Sequence, residues 1–243
     1  MAERLIYLAG AASQRGDGRR LFAGLLHYLG AAGGVEDAQE ASYRAATDGQ
    51  ALAYDRSDTA APLADSVRTV QAILGRHRRD LGPEGRLHLL GWSLGGAVLF
   101  EAAGRLLEVD PNWRGSFGAI VTYSSPILGC DVDGLHELGE LAAGAAGREL
   151  CRRAADPAHR AWVALTAERL RAAGSRLLTL GAADDAVVTP SDSVVVEPGE
   201  SIERYVLRPV ARLGADFGER RLGHGAILND PTAWRMTLAA IRG

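Results

Sequence analysis

The sequence predicts an α/β domain in which a mostly parallel central sheet is flanked by helices. Short, continuously apolar segments recur along the chain, as is typical of parallel strands that are buried on both faces. Amphipathic helical segments alternate with these strands, and 243 residues are enough to bury one sizeable core. Because no linker, repeat or low-complexity tract interrupts the pattern, we expect one domain over residues 1–243.

The predicted strands are short segments bounded by turn-forming residues. They lie at residues 5–9, 86–90, 119–123, 176–180 and 203–207, and a further short strand is predicted at 51–54. Residues 33–48 are polar and lack a clear periodicity, so no element is assigned to them.

The predicted helices carry apolar residues at helical spacing. They lie at residues 19–29, 65–79, 94–107, 134–173 and 232–241. We expect the long segment to break at Asp156-Pro157, because Asp caps helices and Pro fits the first helical position. Asn229-Asp230-Pro231 similarly predicts the start of the last helix.

The composition excludes several classes of enzyme. All 27 basic residues are Arg, so the chain cannot form the lysine Schiff base of pyridoxal enzymes or aldolases. It likewise lacks the lysine of phosphate-binding loops and of protein kinases. The net charge of −3 gives no general attraction to nucleic acid, so no nucleic-acid partner is expected.

The chain shows no pattern for a metal site or a membrane span. The histidines and the two cysteines are scattered without ligand spacing, so neither a metal nor an organic cofactor is expected. Cys130 and Cys151 are expected to be buried thiols, with a single disulfide as the alternative. The apolar run at residues 5–10 is too short for a signal sequence or a span. We therefore expect a cytoplasmic protein without stable membrane insertion, and its oligomeric state is left open.

The most informative segment has the form G-x-S-x-G and lies between a predicted strand and a predicted helix. In Gly91-Trp92-Ser93-Leu94-Gly95, Ser93 would stand on a sharp turn with its hydroxyl exposed for reaction. Glycines on either side avoid clashes across such a turn. The helix that follows favours negative charge near Ser93, and the backbone N–H of Leu94 is a candidate oxyanion donor.

With this motif, the sequence resembles the α/β-hydrolase superfamily, in particular the lipase- and esterase-like serine hydrolases. The resemblance covers nearly the whole chain and implies the α/β-hydrolase fold. It also implies a catalytic triad in the chain order Ser, acid, His. In this superfamily, an insertion at the position of residues 134–173 commonly forms a helical cap over the active site.

The resemblance assigns the remaining triad positions to two segments. His224, in Gly223-His224-Gly225, matches the glycine-flanked histidine loop before the final helix. Asp185, in Asp185-Ala186-Val187-Val188, matches the position of the acid, which follows the predicted strand at 176–180. Asp184 is the competing candidate. The acid would fix the imidazole tautomer and stabilise the imidazolium.

Two further site residues follow from the same resemblance. The second oxyanion donor would come from the loop after the first strand, where the N–H of Ala11 is the candidate and that of Ala12 the next. Trp92 departs from the histidine commonly found before the nucleophile in lipases. It is a candidate substrate-binding residue of an acyl pocket, with a place in the core as the alternative.

These residues together predict a serine hydrolase that cleaves a carboxylic ester through an acyl-enzyme intermediate. The expected partner is a small-molecule or lipid acyl ester. The alternatives are a thioesterase or acyltransferase with the same triad, and a binding protein that has kept the fold without the activity.

Overall fold

The computed structural model describes residues 2–130, 144–185, 187–193, 205–207 and 222–243. Its centre is a parallel sheet with the strand order β2-β1-β3-β4-β5-β6. The described strands are β1 (Glu3–Leu8), β2 (Ala38–Glu40), β3 (Arg86–Trp92), β4 (Phe117–Tyr123), β5 (Arg176–Ala182) and β6 (Tyr205–Leu207). The predicted fold class is confirmed.

Helices cover both faces of the sheet. The described α-helices are α1 (Asp17–Leu21), α2 (Ala23–Ala31), α3 (Leu63–Leu81), α4 (Leu94–Val109), α5 (Ala145–Ala154), α6 (Pro157–Ala172), α7 (Pro190–Ser193), α8 (Leu222–Ala226) and α9 (Pro231–Arg242). Helices α3, α4 and α6 contribute to the core on one face, and α2 and α9 to the core on the other.

The two cores explain why the strand segments are continuously apolar. Successive side chains of a strand point to opposite faces of the sheet. In β1, Ile6 and Leu8 pack into the core beneath α3 and α4, whereas Leu5 and Tyr7 pack into the core beneath α2 and α9. A polar side chain at either set of positions would therefore be buried.

The position of the second strand was predicted wrongly. The structure has β2 at Ala38–Glu40, paired with β1, while Ala51 makes only an isolated antiparallel bridge to Ala45. Because β2 lies at the end of the described sheet, its polar residues are tolerated there and its apolar signal is weak. Of the apolar residues at 51–54, Tyr54 is buried and Ala51 packs against the core, whereas Leu52 is exposed.

The predicted helix at 134–173 is interrupted as expected. The carboxylate of Asp156 accepts a hydrogen bond from the N–H of Ala158, and Pro157 begins α6. Helix α6 contacts α4 and β5, so it belongs to the layer that flanks the sheet rather than to a cap. Helix α5 contacts α3 and the short 3-10 helix Arg56–Ala60. The predicted residues 134–143, like the strand positions 203–204, lie outside the described residues.

The two cysteines do not form a disulfide. The thiol of Cys130 is buried and donates a hydrogen bond to the carbonyl oxygen of Val187, while Cys151 is partly exposed. Within the described ranges, no helix combines the length and the apolar character needed to cross a bilayer.

Candidate active site

Ser93 occupies the sharp turn between β3 and α4. Its backbone has φ 53° and ψ −133°, a conformation that a residue with a side chain adopts at an energetic cost. The N–H of Ser93 donates a 2.9 Å hydrogen bond to the carbonyl oxygen of Tyr123 at the end of β4. The neighbouring strand therefore helps to hold the strained turn in place.

Two glycines of the motif are required by the close approach of backbones at this turn. A Cβ atom on Gly91 would overlap the Cα atom of Gly96 in the first turn of α4. A Cβ atom on Gly95 would overlap the carbonyl oxygens of Leu8 and Ala9 at the end of β1. Helix α4 thus starts directly against the ends of β1 and β3.

His224 lies beside Ser93, in the short helix α8 rather than in the predicted loop. The imidazole is buried, and its Nε2 atom lies 3.0 Å from Oγ of Ser93. Helix α8 runs into a 3-10 turn and then into α9, whose start is capped by the carboxylate of Asp230. The segment that carries His224 therefore leads directly into the last helix.

The acid partner of His224 is Asp185. Its Oδ2 atom lies 2.8 Å from Nδ1 of His224, and its Oδ1 atom accepts hydrogen bonds of 2.9 Å from the N–H groups of Val187 and Val188. Asp184, the competing candidate, is exposed. The structure thus brings Asp185, and not Asp184, to the histidine.

The environment of Asp185 favours the ionised carboxylate. Burial acts to raise its pKa, but the hydrogen bond and the charge of His224, with the N–H of Val188, outweigh it, so the pKa lies below its ordinary value. An ionised carboxylate only accepts hydrogen bonds, so Nδ1 of His224 must carry the hydrogen. In the neutral ring, Nε2 is then an acceptor for the hydroxyl of Ser93.

The two oxyanion candidates belong to the helix that follows the serine and to the loop after β1. Leu94 is the first residue of α4, and the first N–H groups of a helix have no acceptor within it. In the loop after β1, the N–H of Ala12 donates a 3.0 Å hydrogen bond to Oγ1 of Thr59. Ala12 is therefore engaged, which favours Ala11 as the donor of that loop.

The loop after β1 is held by hydroxyl groups that the sequence did not single out. Tyr43 donates a hydrogen bond of 2.7 Å to the carbonyl oxygen of Ala9, and Ser13 donates one of 2.6 Å to that of Gly10. A Cβ atom on Gly10 would lie 2.6 Å from Cβ of Ser93, so this loop passes directly beside the serine.

No sequence signal identified Tyr43, Thr59 or the supporting Tyr54. Tyr43 and Tyr54 lie in irregular segments and Thr59 lies in the 3-10 helix Arg56–Ala60, and periodicity does not predict which hydroxyl will meet which backbone group. In the structure, the rings of Tyr43 and Tyr54 are buried and pack edge to face at a centroid distance of 5.2 Å.

Trp92 is buried at the end of β3, with 6% of its surface exposed. Its Nε1–H donates a 2.7 Å hydrogen bond to the carbonyl oxygen of His224, and the two rings lie 5.1 Å apart. The side chain also packs into the core beneath α2 and α9. The structure therefore places Trp92 in the core beside the histidine.

The described part of the chain contains no group of three or more His, Cys, Asp or Glu side chains arranged to hold a metal ion. What it does contain at this site is a hydroxyl, an imidazole, a carboxylate and backbone N–H groups. These groups can transfer a proton away from the serine and stabilise negative charge nearby.

Comparison by sequence gives no relatives: no family model matches the chain, and no curated protein matches it significantly. Comparison by structure finds proteins of similar fold. The phospholipase PlaB from Legionella pneumophila, solved in complex with thio-NAD, superposes with a TM-score of 0.58 at 12% identity, over 100% of this chain and 59% of that one. Aspergillus fumigatus lipase B superposes with a TM-score of 0.55 at 15% identity, over 100% of this chain and 52% of that one.

These similarities define the fold. Together with the parallel sheet and its flanking helices, they show that the chain has the α/β-hydrolase fold. The chain spans between about half and three fifths of the length of the two proteins that it resembles.

Proposed function

We propose that this chain is a serine hydrolase that cleaves a carboxylic ester, with Ser93, His224 and Asp185 as its catalytic triad. The observation that carries the proposal is a continuous series of hydrogen bonds. It runs from Oγ of Ser93 to Nε2 of His224 at 3.0 Å, and from Nδ1 of His224 to Oδ2 of Asp185 at 2.8 Å. The series starts at a strained turn beside a helix N-terminus, where a nucleophile can act.

In the first half of the proposed reaction, Oγ of Ser93 attacks the carbonyl carbon of the ester while Nε2 of His224 takes the hydroxyl proton. The carbonyl oxygen becomes an oxyanion, which the N–H groups of Leu94 and Ala11 stabilise. His224 then gives its proton to the leaving alkoxide. The products of this half are a free alcohol and an acyl group bound to Ser93.

In the second half, His224 takes a proton from water as the water oxygen attacks the acyl carbonyl. The same N–H groups stabilise the second oxyanion, and His224 returns the proton to Oγ of Ser93 as the carboxylic acid leaves. Asp185 stays ionised and stabilises the imidazolium in both halves, in line with its lowered pKa. Each step uses groups of the chain and water alone.

The structural comparisons support an ester as the substrate class, because the two proteins are described as a phospholipase and a lipase. We further propose that the chain forms one domain, since both core clusters are built from elements of one sheet. The cytoplasmic location remains a prediction from the sequence.

The decisive experiment is labelling with a fluorophosphonate, which reacts covalently with activated serines. We expect the wild-type protein to be labelled on Ser93 and the Ser93→Ala variant to be unlabelled. Absence of labelling in the wild type would contradict the catalytic proposal and favour a binding protein. Equal labelling of Ser93→Ala would show that another serine is the nucleophile.

A substrate panel then distinguishes an esterase from a thioesterase or acyltransferase. Hydrolysis of short p-nitrophenyl esters, long-chain esters and acyl-CoA thioesters is compared through kcat/KM for each substrate. We expect the oxygen esters to be preferred. A preference for the thioesters would replace the esterase assignment with the thioesterase, although the triad would remain the same.

A further inference from the structure

Trp92 contacts His224, the same residue that its chain neighbour Ser93 contacts, but through different atoms. Ser93 meets the imidazole of His224 at Nε2, and Trp92 meets the backbone of His224 by donating its indole N–H to the carbonyl oxygen at 2.7 Å. The indole ring also lies against the imidazole, with a centroid distance of 5.1 Å and an interplanar angle of 42°. The dipeptide Trp92-Ser93 therefore contacts both the backbone and the ring of the histidine.

The local structure around His224 makes this contact important for its position. Helix α8 has five residues, and an isolated helix of that length has no stability of its own. The orientation of the imidazole must then come from groups packed around it. Since only χ1 and χ2 separate the backbone of His224 from its ring, fixing the carbonyl and one ring face leaves little freedom to the side chain.

We propose that Trp92 is a positioning residue for His224, in place of the substrate-binding role expected from the sequence. The inference rests on the proposed function, because it assigns Trp92 a part in keeping Nε2 within reach of Oγ of Ser93. Trp92 is rigid enough for this role, since its ring is buried in the core beneath α2 and α9. It connects the end of β3, which also carries the nucleophile, to the segment that carries the base.

The chain offers a matched control in Trp234. Its Nε1–H donates a hydrogen bond of the same length, 2.7 Å, to the carbonyl oxygen of Leu228, in the same C-terminal segment. Trp234 has no part in the proposed site. Comparison of Trp92→Phe with Trp234→Phe therefore separates the loss of a hydrogen bond at His224 from the general loss of an indole N–H.

We expect Trp92→Phe to lower kcat for a p-nitrophenyl ester about 10-fold or more with KM nearly unchanged, because small displacements of a catalytic group slow the chemical step. The rate of fluorophosphonate labelling should fall by a similar factor. Trp234→Phe should leave both rates within about twofold of the wild type. Equal effects of the two substitutions on kcat, or no effect of Trp92→Phe, would overturn the proposal.

A second replacement removes the N–H alone. In 3-benzothienylalanine, sulphur stands where the indole has N–H and the shape is nearly unchanged, so site-specific incorporation at position 92 keeps the packing. The same loss of kcat is expected as in Trp92→Phe. Wild-type kcat in this variant would show that the hydrogen bond has no positioning role.

A measurement without substrate distinguishes failure of this proposal from failure of the proposed function. The hydrogen between Nδ1 of His224 and Oδ2 of Asp185 should give a low-field proton resonance in the NMR spectrum. We expect the resonance to shift or broaden in Trp92→Phe and to stay unchanged in Trp234→Phe, even if the wild type were not labelled by fluorophosphonate. An unchanged resonance in Trp92→Phe would overturn the positioning role.

Discussion

Nδ1 of His224 lies 2.8 Å from Oδ2 of Asp185, while Asp184, one residue earlier in the chain, is exposed. The other carboxylate oxygen of Asp185, Oδ1, accepts hydrogen bonds from two backbone N–H groups in the turn after β5. The orientation of this carboxylate is therefore determined by backbone as well as by the histidine, and it sets the tautomer of the ring.

Replacing Asp185 by Asn should lower kcat about 10³–10⁴-fold, because the amide would favour the wrong imidazole tautomer. Asn retains an oxygen that can accept the N–H groups of Val187 and Val188, so the turn should stay folded. The measurement is kcat for a p-nitrophenyl ester. Asp184→Asn is the matched control and should remain within about twofold of the wild type. The reverse order of effects would assign the acid to Asp184.

Thr59 supports the loop that carries the proposed second oxyanion donor. Its hydroxyl is buried, accepts the N–H of Ala12 at 3.0 Å and donates to the carbonyl oxygen of Arg56 at 2.7 Å. Thr59→Val removes both hydrogen bonds at nearly constant volume and should lower kcat about 10-fold by loosening the position of Ala11. Thr59→Ser keeps the hydroxyl and should restore most of the rate. If Val and Ser variants had the same kcat, the hydroxyl would not matter for catalysis.

Gly95 and Gly30 should respond to substitution by Ala in opposite directions. At Gly95 the new Cβ would overlap backbone oxygens of Leu8 and Ala9, so we expect a loss of at least about 3 kcal/mol in the free energy of unfolding. At Gly30, within α2, a Cβ meets nothing within 4 Å, so Ala should stabilise by about 0.5–1 kcal/mol. Urea unfolding measures both. A tolerated Gly95→Ala would show that the start of α4 can move away from β1.

His77 should make stability depend on pH. Burial and the neighbouring charge of Arg4 lower its pKa from 6.5 to about 4, and its Nδ1 atom lies 2.9 Å from the Arg4 guanidinium, which can only donate. The folded state therefore holds the neutral ring. Below pH 6.5 the imidazole of the unfolded chain takes up a proton, whereas that of the folded state stays neutral. The contribution of His77 to the free energy of unfolding is therefore complete above pH 6.5 and is lost as the pH falls towards 4.

Because His77 is only partly buried, solvent screening reduces the effect, and we expect it to cost on the order of 2 kcal/mol of unfolding free energy between pH 7 and pH 4. His77→Gln can still accept the hydrogen bond from Arg4 but does not titrate, so its stability should fall less over that range. Urea unfolding of both proteins at several pH values measures the difference. Parallel pH profiles for the two proteins would contradict the lowered pKa of His77.

The prediction of the fold succeeded where burial determines the sequence pattern of an element. The segments around β1, β3, β4 and β5 are continuously apolar because both of their faces are buried. In α3, the apolar residues recur at helical spacing because one side of the helix is buried. The prediction failed at β2, where a polar segment at the end of the described sheet carries no such pattern. It also placed His224 in a loop, because its flanking glycines are poor helix formers and the short helix α8 owes its form to its surroundings.

By itself, the sequence determined the order of strands and helices, the turn at Gly91–Gly95 and the residue types from which a serine hydrolase could be built. These features depend on local backbone geometry and on burial periodicity, both of which are written in neighbouring residues. Only the tertiary structure decided between Asp184 and Asp185, engaged Ala12 with Thr59, and turned Trp92 towards His224. The first is a choice between adjacent side chains, and the other two are contacts between residues that are 40 or more positions apart in the chain. All three depend on how the folded sheet brings the ends of its strands together.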